Sequence, residues 1–101
     1  MIELVKHPLF DCDLEEAALW YSRDDSGVSY DLIVATESAM RAAVRTPLQF
    51  PVRYKHYRRI RLSRFPHSVY YRFEEDTVYM LALIHGARDV EQLLKQRMRT
   101  M

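Results

Sequence analysis

Glycine is nearly absent from this chain, with two residues in 101 beside four prolines. So little of either argues against flexible linkers and low-complexity tracts, and leaves most of the length for regular structure. Neither a glycine-rich phosphate loop nor a nucleophile elbow is present, so nothing points to a small-molecule substrate. Cysteine occurs once, at Cys12, which excludes an internal disulfide and suits a reducing compartment. No apolar run approaches the roughly 20 residues that span a bilayer. The opening MIELVKHPLF lacks the charged start, apolar stretch and small-residue cleavage site of a secretory signal. A cytoplasmic protein without a membrane partner is expected. No internal repeat is visible, and residues 1–101 have the length of one domain with one core.

Acid is missing too, but only locally. The formal net charge of +1 conceals a divided chain. Residues 1–37 carry two basic side chains, Lys6 and Arg23, against nine acidic ones. Residues 38–73 carry nine basic side chains and no acid, and residues 74–101 are nearly balanced. The middle segment creates a local positive potential unless the fold interleaves it with the acidic third.

Ile2–Val5 reads as a first short strand. Asp11 or Asp13 offers a helix N-cap, and Asp13 with Glu16 resembles a capping box. A first helix is expected over about Leu14–Arg23, with Leu14, Ala17, Ala18 and Tyr21 on one face. Asp24-Asp25-Ser26-Gly27 is a turn signal. A second helix follows, with a stripe of Leu32, Ala35, Ala39 and Ala42, and Thr46-Pro47 closes it. So short a connection makes the two helices a hairpin.

Strand formers dominate from Val52. Residues 67–74 and 77–85 flank Glu75-Asp76 as a tight hairpin in which Glu74 pairs with Thr77. That register puts Val69, Tyr71 and Phe73 on one face with Val78, Met80, Ala82 and Ile84. Tyr70 and Arg72 then share the other face with Tyr79, Leu81, Leu83 and His85. VYMLALI is apolar on both faces, as a central strand requires. In the preceding strand Ile60 and Leu62 face the helices and leave Arg59 and Arg61 on the open side. Asp89 caps a last helix, VEQLLKQRM. The expected fold is α+β, β-α-α-β-β-β-α, a helical hairpin on one face of a mainly antiparallel sheet.

Chemistry concentrates in RYKHYRRIRLSRFPHSVYYR, residues 53–72, which holds seven Lys/Arg, two His and four Tyr side chains. Cations interleaved with aromatics suit nucleic acid or an acidic protein surface. The candidate binding residues are Arg58, Arg59, Arg61, Arg64, Tyr70 and Arg72, joined by Arg88 of the IHGARD segment. The plainer alternative is a solvated strand whose arginines pair with the acidic helices. In IHGARD, His85 is a candidate proton carrier and Arg88 can hold phosphate or developing charge; alternatively, Gly86 simply turns the chain and Arg88 pairs locally. His7, His56, His67, His85 and Cys12 lack ligand-like spacing, so no metal and no cofactor are expected. Trp20 and Tyr21 read as packing residues of the first helix.

EAALWY in the first helix, RRIRL-x-RFPHSVYYR in the sheet and VYMLALIHGARD in the central strand, in that order, resemble the RelE/ParE toxins of bacterial type II toxin–antitoxin (plasmid stabilisation) modules. The resemblance covers nearly the whole chain and implies the fold read above. It further implies a growth-inhibiting toxin neutralised by a cognate antitoxin. RelE-type members cut mRNA on the ribosome, whereas ParE-type members inhibit DNA gyrase without being nucleases. The basic residues of the nuclease branch fall here on Arg59, Arg61 and Arg88. A further arginine falls on Ser68 and a tyrosine near Leu94, so neither side chain is matched. His85 and Tyr71 are the groups left to compensate, and a nuclease here would use Arg59, Arg61, Arg88 and His85. The departures make the ParE-like, gyrase-directed reading the favoured one.

Overall fold

A computed structural model of the chain describes residues 1–23 and 26–99. The elements are β1 (Glu3–Lys6), α1 (Phe10–Ser22), α2 (Ser26–Arg45), β2 (Val52–Tyr54), β3 (Tyr57–Arg61), β4 (His67–Glu74), β5 (Thr77–His85) and α3 (Val90–Met98). The strands form one sheet in the order β1-β5-β4-β3-β2. β1 runs parallel to β5, and all other neighbours are antiparallel. The α+β class and the helical hairpin expected from sequence are what the chain adopts. One short edge strand, β2, is added, folded onto β3 through Lys55-His56 with Lys55 at φ 52°.

α1 begins at Phe10, four residues before the expected start, and neither Asp11 nor Asp13 caps it. His7 does that work instead. Its Nδ1 accepts the Leu9 N–H at 3.0 Å and its carbonyl accepts the Phe10 N–H at 2.9 Å. The expected turn falls on residues 24 and 25, outside the described residues, and Ser26 and Gly27 already belong to α2. Along α2 the fully buried line is Leu32, Thr36, Ala39 and Ala43, a slight rotation from the expected stripe. Thr36 is accommodated because its hydroxyl donates to the Leu32 carbonyl one turn back. Ser29 Oγ donates across the hairpin to the Ala18 carbonyl at 2.9 Å.

Two apolar layers enclose the sheet. Between the helical hairpin and the sheet lie Phe10, Leu32, Ile60, Val69, Tyr71, Val78, Met80 and Leu83. On the opposite face α3 lays Val90 and Leu94 against Tyr57, Tyr70, Leu81, Ala82 and Ile84. Burying a large side chain contributes about 1.5–3 kcal/mol, so this second layer is what fastens α3. Asp89 caps that helix as expected, its Oδ1 accepting the Gln92 N–H at 3.1 Å.

The β4–β5 hairpin pairs Glu74 with Thr77 as expected, and both turn residues take positive φ, Glu75 at 51° and Asp76 at 58°. Further along, the register slips: Tyr71 pairs with Met80, but Tyr70 pairs with Ala82. Leu81 is the extra residue of a β-bulge, which flips the faces beyond it. Leu83 therefore enters the hairpin-side core, while Ala82 and Ile84 join the α3-side core. This corrects the face assignment of Ala82, Leu83, Ile84 and His85. The slip also sets His67 opposite His85. Gly86 follows, where a Cβ would come within 3.1 Å of the Pro66 carbonyl oxygen that already accepts the Gly86 N–H.

β1 is shorter than β5 and ends where the His7 N–H donates to the Met80 carbonyl. Beyond that point the outer edge of β5 is met by side chains. Asp13 Oδ2 accepts the Leu83 N–H at 3.1 Å, and Arg97 Nη1 donates to the Leu81 carbonyl at 3.0 Å. The two side chains bind each other through a two-bond fork of 2.7 and 2.9 Å. α1, β5 and α3 are thereby tied together at one point.

Candidate functional site

Alternation along β3 decides which arginines meet. Tyr57 and Ile60 belong to opposite cores, so Arg59 and Arg61 share the α3 side while Arg58 shares the hairpin side. Arg59 stands opposite Tyr70 and Arg61 opposite Ser68, which in turn stands opposite Ile84 near the end of β5. Arg88 follows in the turn after β5, its N–H donating to the His85 carbonyl. Neighbouring strands are about 4.8 Å apart, so Arg61 and Arg88 gather at one end of the sheet with β4 between them. Arg64 lies in the β3–β4 connection at φ 67°. The side chains of Arg59, Arg61, Arg64 and Arg88 make no ion pair or hydrogen bond among the described residues.

The other candidates are placed differently. Arg58 turns to the hairpin side, where Nη1 donates to the Phe50 carbonyl at 2.6 Å and the Leu48 carbonyl at 3.3 Å. It braces the α2–β2 connection and does not join the Arg59–Arg61 face. Tyr70 is 1% exposed and fills the core under α3, so it is not presented for stacking. Arg72 is on the expected face, but its guanidinium bonds Glu74 at 2.5 Å and lies over the Tyr79 ring at 4.1 Å.

The acidic first third does not neutralise the basic strand among the described residues. Among the described residues, the ion pairs from residues 38–73 are Arg53–Glu91 at 3.7 Å and Arg72–Glu74, and neither acid belongs to residues 1–37. A strip of uncompensated arginine remains.

Arg59, Arg61 and Arg88 keep their positions of the nuclease branch, but its two unmatched positions hold enclosed groups. Ser68 is buried, and Leu94 is completely enclosed by the α3-side core. Tyr71, the first group left to compensate, is also enclosed, with its hydroxyl donating to the Pro47 carbonyl at 2.6 Å. Burial pushes its pKa above 10, and the nearby Arg58 cation only partly offsets that. His85 does not share the Arg59–Arg61 face. It belongs instead to a cleft of about 450 Å³ beside α1, with Trp20, Tyr21, His67 and Arg88.

His67 is the residue of this cleft that sequence reasoning passed over. Its ring packs edge-on to His85 at 5.0 Å between centroids and to Tyr21 at 6.1 Å. Burial, and then the neighbouring His85, hold its pKa below 6.5. The Asp13–Arg97 fork closes the cleft floor and was equally unforeseen, because Asp13 read as a helix cap. Among the described residues no group of three or more His, Cys, Asp or Glu side chains is placed to hold a metal ion. No helix of the described residues is long and apolar enough to cross a membrane.

A family model described as the ParE toxin of type II toxin–antitoxin systems, parDE, matches residues 4–90. The match runs from β1 through β5 to the first residue of α3. The chain belongs to the ParE toxin family. It is therefore the toxin of a type II toxin–antitoxin system, and an antitoxin is its implied partner. A search of curated proteins returned no match.

Proposed function

We propose that this ParE-family chain, acting as one domain over residues 1–101, arrests growth by inhibiting DNA gyrase in the cytoplasm and is neutralised by a cognate antitoxin. The observation that carries this reading is the filling of the nuclease positions. Cleavage of RNA through its 2′-hydroxyl needs a base, charge stabilisation at the phosphate and an acid for the leaving oxygen. Enclosed Leu94 offers no proton, buried Ser68 no charge, and Tyr71 is turned into the hairpin-side core. What remains is a binding surface. Arg59 and Arg61 form its centre, with Arg64 and Arg88 at its end and Arg72 partly neutralised beside Glu74.

Unpaired arginines on a strand suit attachment to an acidic protein surface or to gyrase-bound DNA, because the cations need break no internal pair. The antitoxin is expected to shield the same cations. Inducing the chain and following plasmid topology together with toeprinting of translating ribosomes tests the proposal. Relaxed plasmid with intact ribosome-bound mRNA is expected. New mRNA cuts that vanish in Arg61→Ala and Arg88→Ala would instead establish a ribosome-dependent endoribonuclease.

A further inference from the structure

The cleft beside α1 shares Arg88 with the cationic strip but is otherwise built differently, and the gyrase reading makes no use of its rings. One side is a run of rings in edge-to-face contact. Trp20 meets Tyr21 at 5.0 Å, Tyr21 meets His67 at 6.1 Å, and His67 meets His85 at 5.0 Å between centroids. Trp20 is 57% exposed at the outer end, so a face of the run is open to a flat ligand.

His67 lies deep in the cleft, 8% exposed, and its Nδ1 has no hydrogen-bond partner. A buried polar atom without a partner is uncommon and marks a place where a ligand or water completes the bonding. His85 is already oriented, its Nδ1 accepting the Ala87 N–H at 2.9 Å. At the mouth stand Arg88, without an ion pair among the described residues, and the exposed carboxylate of Glu16. Asp13 adds no free charge, being forked onto Arg97.

We infer that this cleft binds a nucleotide, with its base against the Trp20–Tyr21–His67 wall, its ribose at Glu16 and its phosphate at Arg88. A volume of about 450 Å³ suits a small ligand. A nucleobase edge carries neighbouring donors and acceptors, so it can satisfy His67 Nδ1 in either tautomer, which an ionised carboxylate cannot. A carboxylate is the ordinary acceptor for ribose hydroxyls, and an unpaired guanidinium the ordinary partner of phosphate. The source is either a free nucleotide or a nucleotide of a single strand, and both present the same chemistry.

The chain has one tryptophan, so its fluorescence reports the cleft directly. Titrating the full chain with adenosine and uridine monophosphates should give saturable quenching. The bare nucleosides should bind on the order of tenfold more weakly, as should nucleoside monophosphate with Arg88→Ala. Calorimetry on Trp20→Ala should show a loss of at least similar size, since stacking on an aromatic ring is worth about 1–3 kcal/mol, or roughly five- to 150-fold. Nucleotide should also move the His67 imidazole nitrogen resonances. A short single-stranded oligonucleotide that competes with the mononucleotide assigns the ligand to a polymer; failure to compete assigns it to free nucleotide. Trp20 and Arg88 are exposed, so both variants should fold. The inference falls if neither nucleotide quenches Trp20, if inorganic phosphate displaces them equally well, or if Trp20→Ala and Arg88→Ala bind as the parent does. Gyrase inhibition is read separately, so failure of either reading leaves the other open to its own test.

Discussion

Replacing Asp13 with alanine removes three hydrogen bonds at once: one from the Leu83 N–H and two from the Arg97 guanidinium. The Leu83 N–H then faces a partly buried space with no acceptor, at a cost of about 1–3 kcal/mol. Arg97 is left without its carboxylate where its side chain is 16% exposed. Breaking a fully buried ion pair costs about 3–5 kcal/mol, but water reaches this one, so a smaller share applies. Together these give a loss of about 3 kcal/mol. For a domain near 100 residues each kcal/mol shifts Tm by about 4–8 °C, so a drop of roughly 12–24 °C is expected by circular dichroism. Asp13→Asn keeps an acceptor for Leu83 and should fall between. Arg97→Ala should cost a comparable amount, and the double variant less than the sum of the two, because the fork is counted in both. Loss of a simple helix cap costs about 1 kcal/mol. A loss of that size in Asp13→Ala, unchanged when Arg97 is also alanine, would refute the edge clamp and return Asp13 to a cap.

Arg58→Ala should lower stability by about 1–3 kcal/mol in urea unfolding, because the Leu48 and Phe50 carbonyls lose their donor. Arg59→Ala and Arg61→Ala should stay within about 0.5 kcal/mol of the parent while weakening toxicity; the opposite pattern would mean the two faces of β3 are wrongly assigned. His7 and His67 both sit below the ordinary 6.5 through burial, aided by the Arg97 cation for His7 and by His85 for His67. The native chain keeps them neutral while the unfolded chain takes up protons, so their contribution is intact above about pH 6.5 and is lost as pH falls through the lowered native values. Urea midpoints should therefore drop between pH 7 and 5, less steeply in His67→Gln, and a flat profile would contradict the burial of both rings.

The helices, the last cap and the Glu74–Thr77 register were legible because each rests on a local signal: apolar spacing, Thr46-Pro47, Asp89, Glu75-Asp76. The bulge at Leu81 was not, because VYMLALI is apolar on both faces and an extra residue leaves that pattern unchanged. Without the bulge, the Glu74–Thr77 register sets His67 opposite Ile84; with it, His67 meets His85. Asp13 misled for a related reason. An acid in a first turn satisfies the cap pattern by itself, whereas its actual partner, Arg97, is 84 residues away. The cationic face was half legible. Alternation separated Arg59 and Arg61 from Ile60, but Arg58 and Tyr70 were grouped with them by composition, which carries no information about side. Tyr70 went to the core because α3 covers that face, a tertiary fact no strand pattern encodes.

Supercoiling of relaxed plasmid by purified gyrase, measured against increasing concentrations of the chain, tests the central claim most directly. Inhibition by the parent chain is expected, released by the antitoxin and abolished in an Arg59→Ala/Arg61→Ala variant that melts at the parent temperature. Gyrase that supercoils normally in the presence of folded, growth-arresting toxin would contradict it.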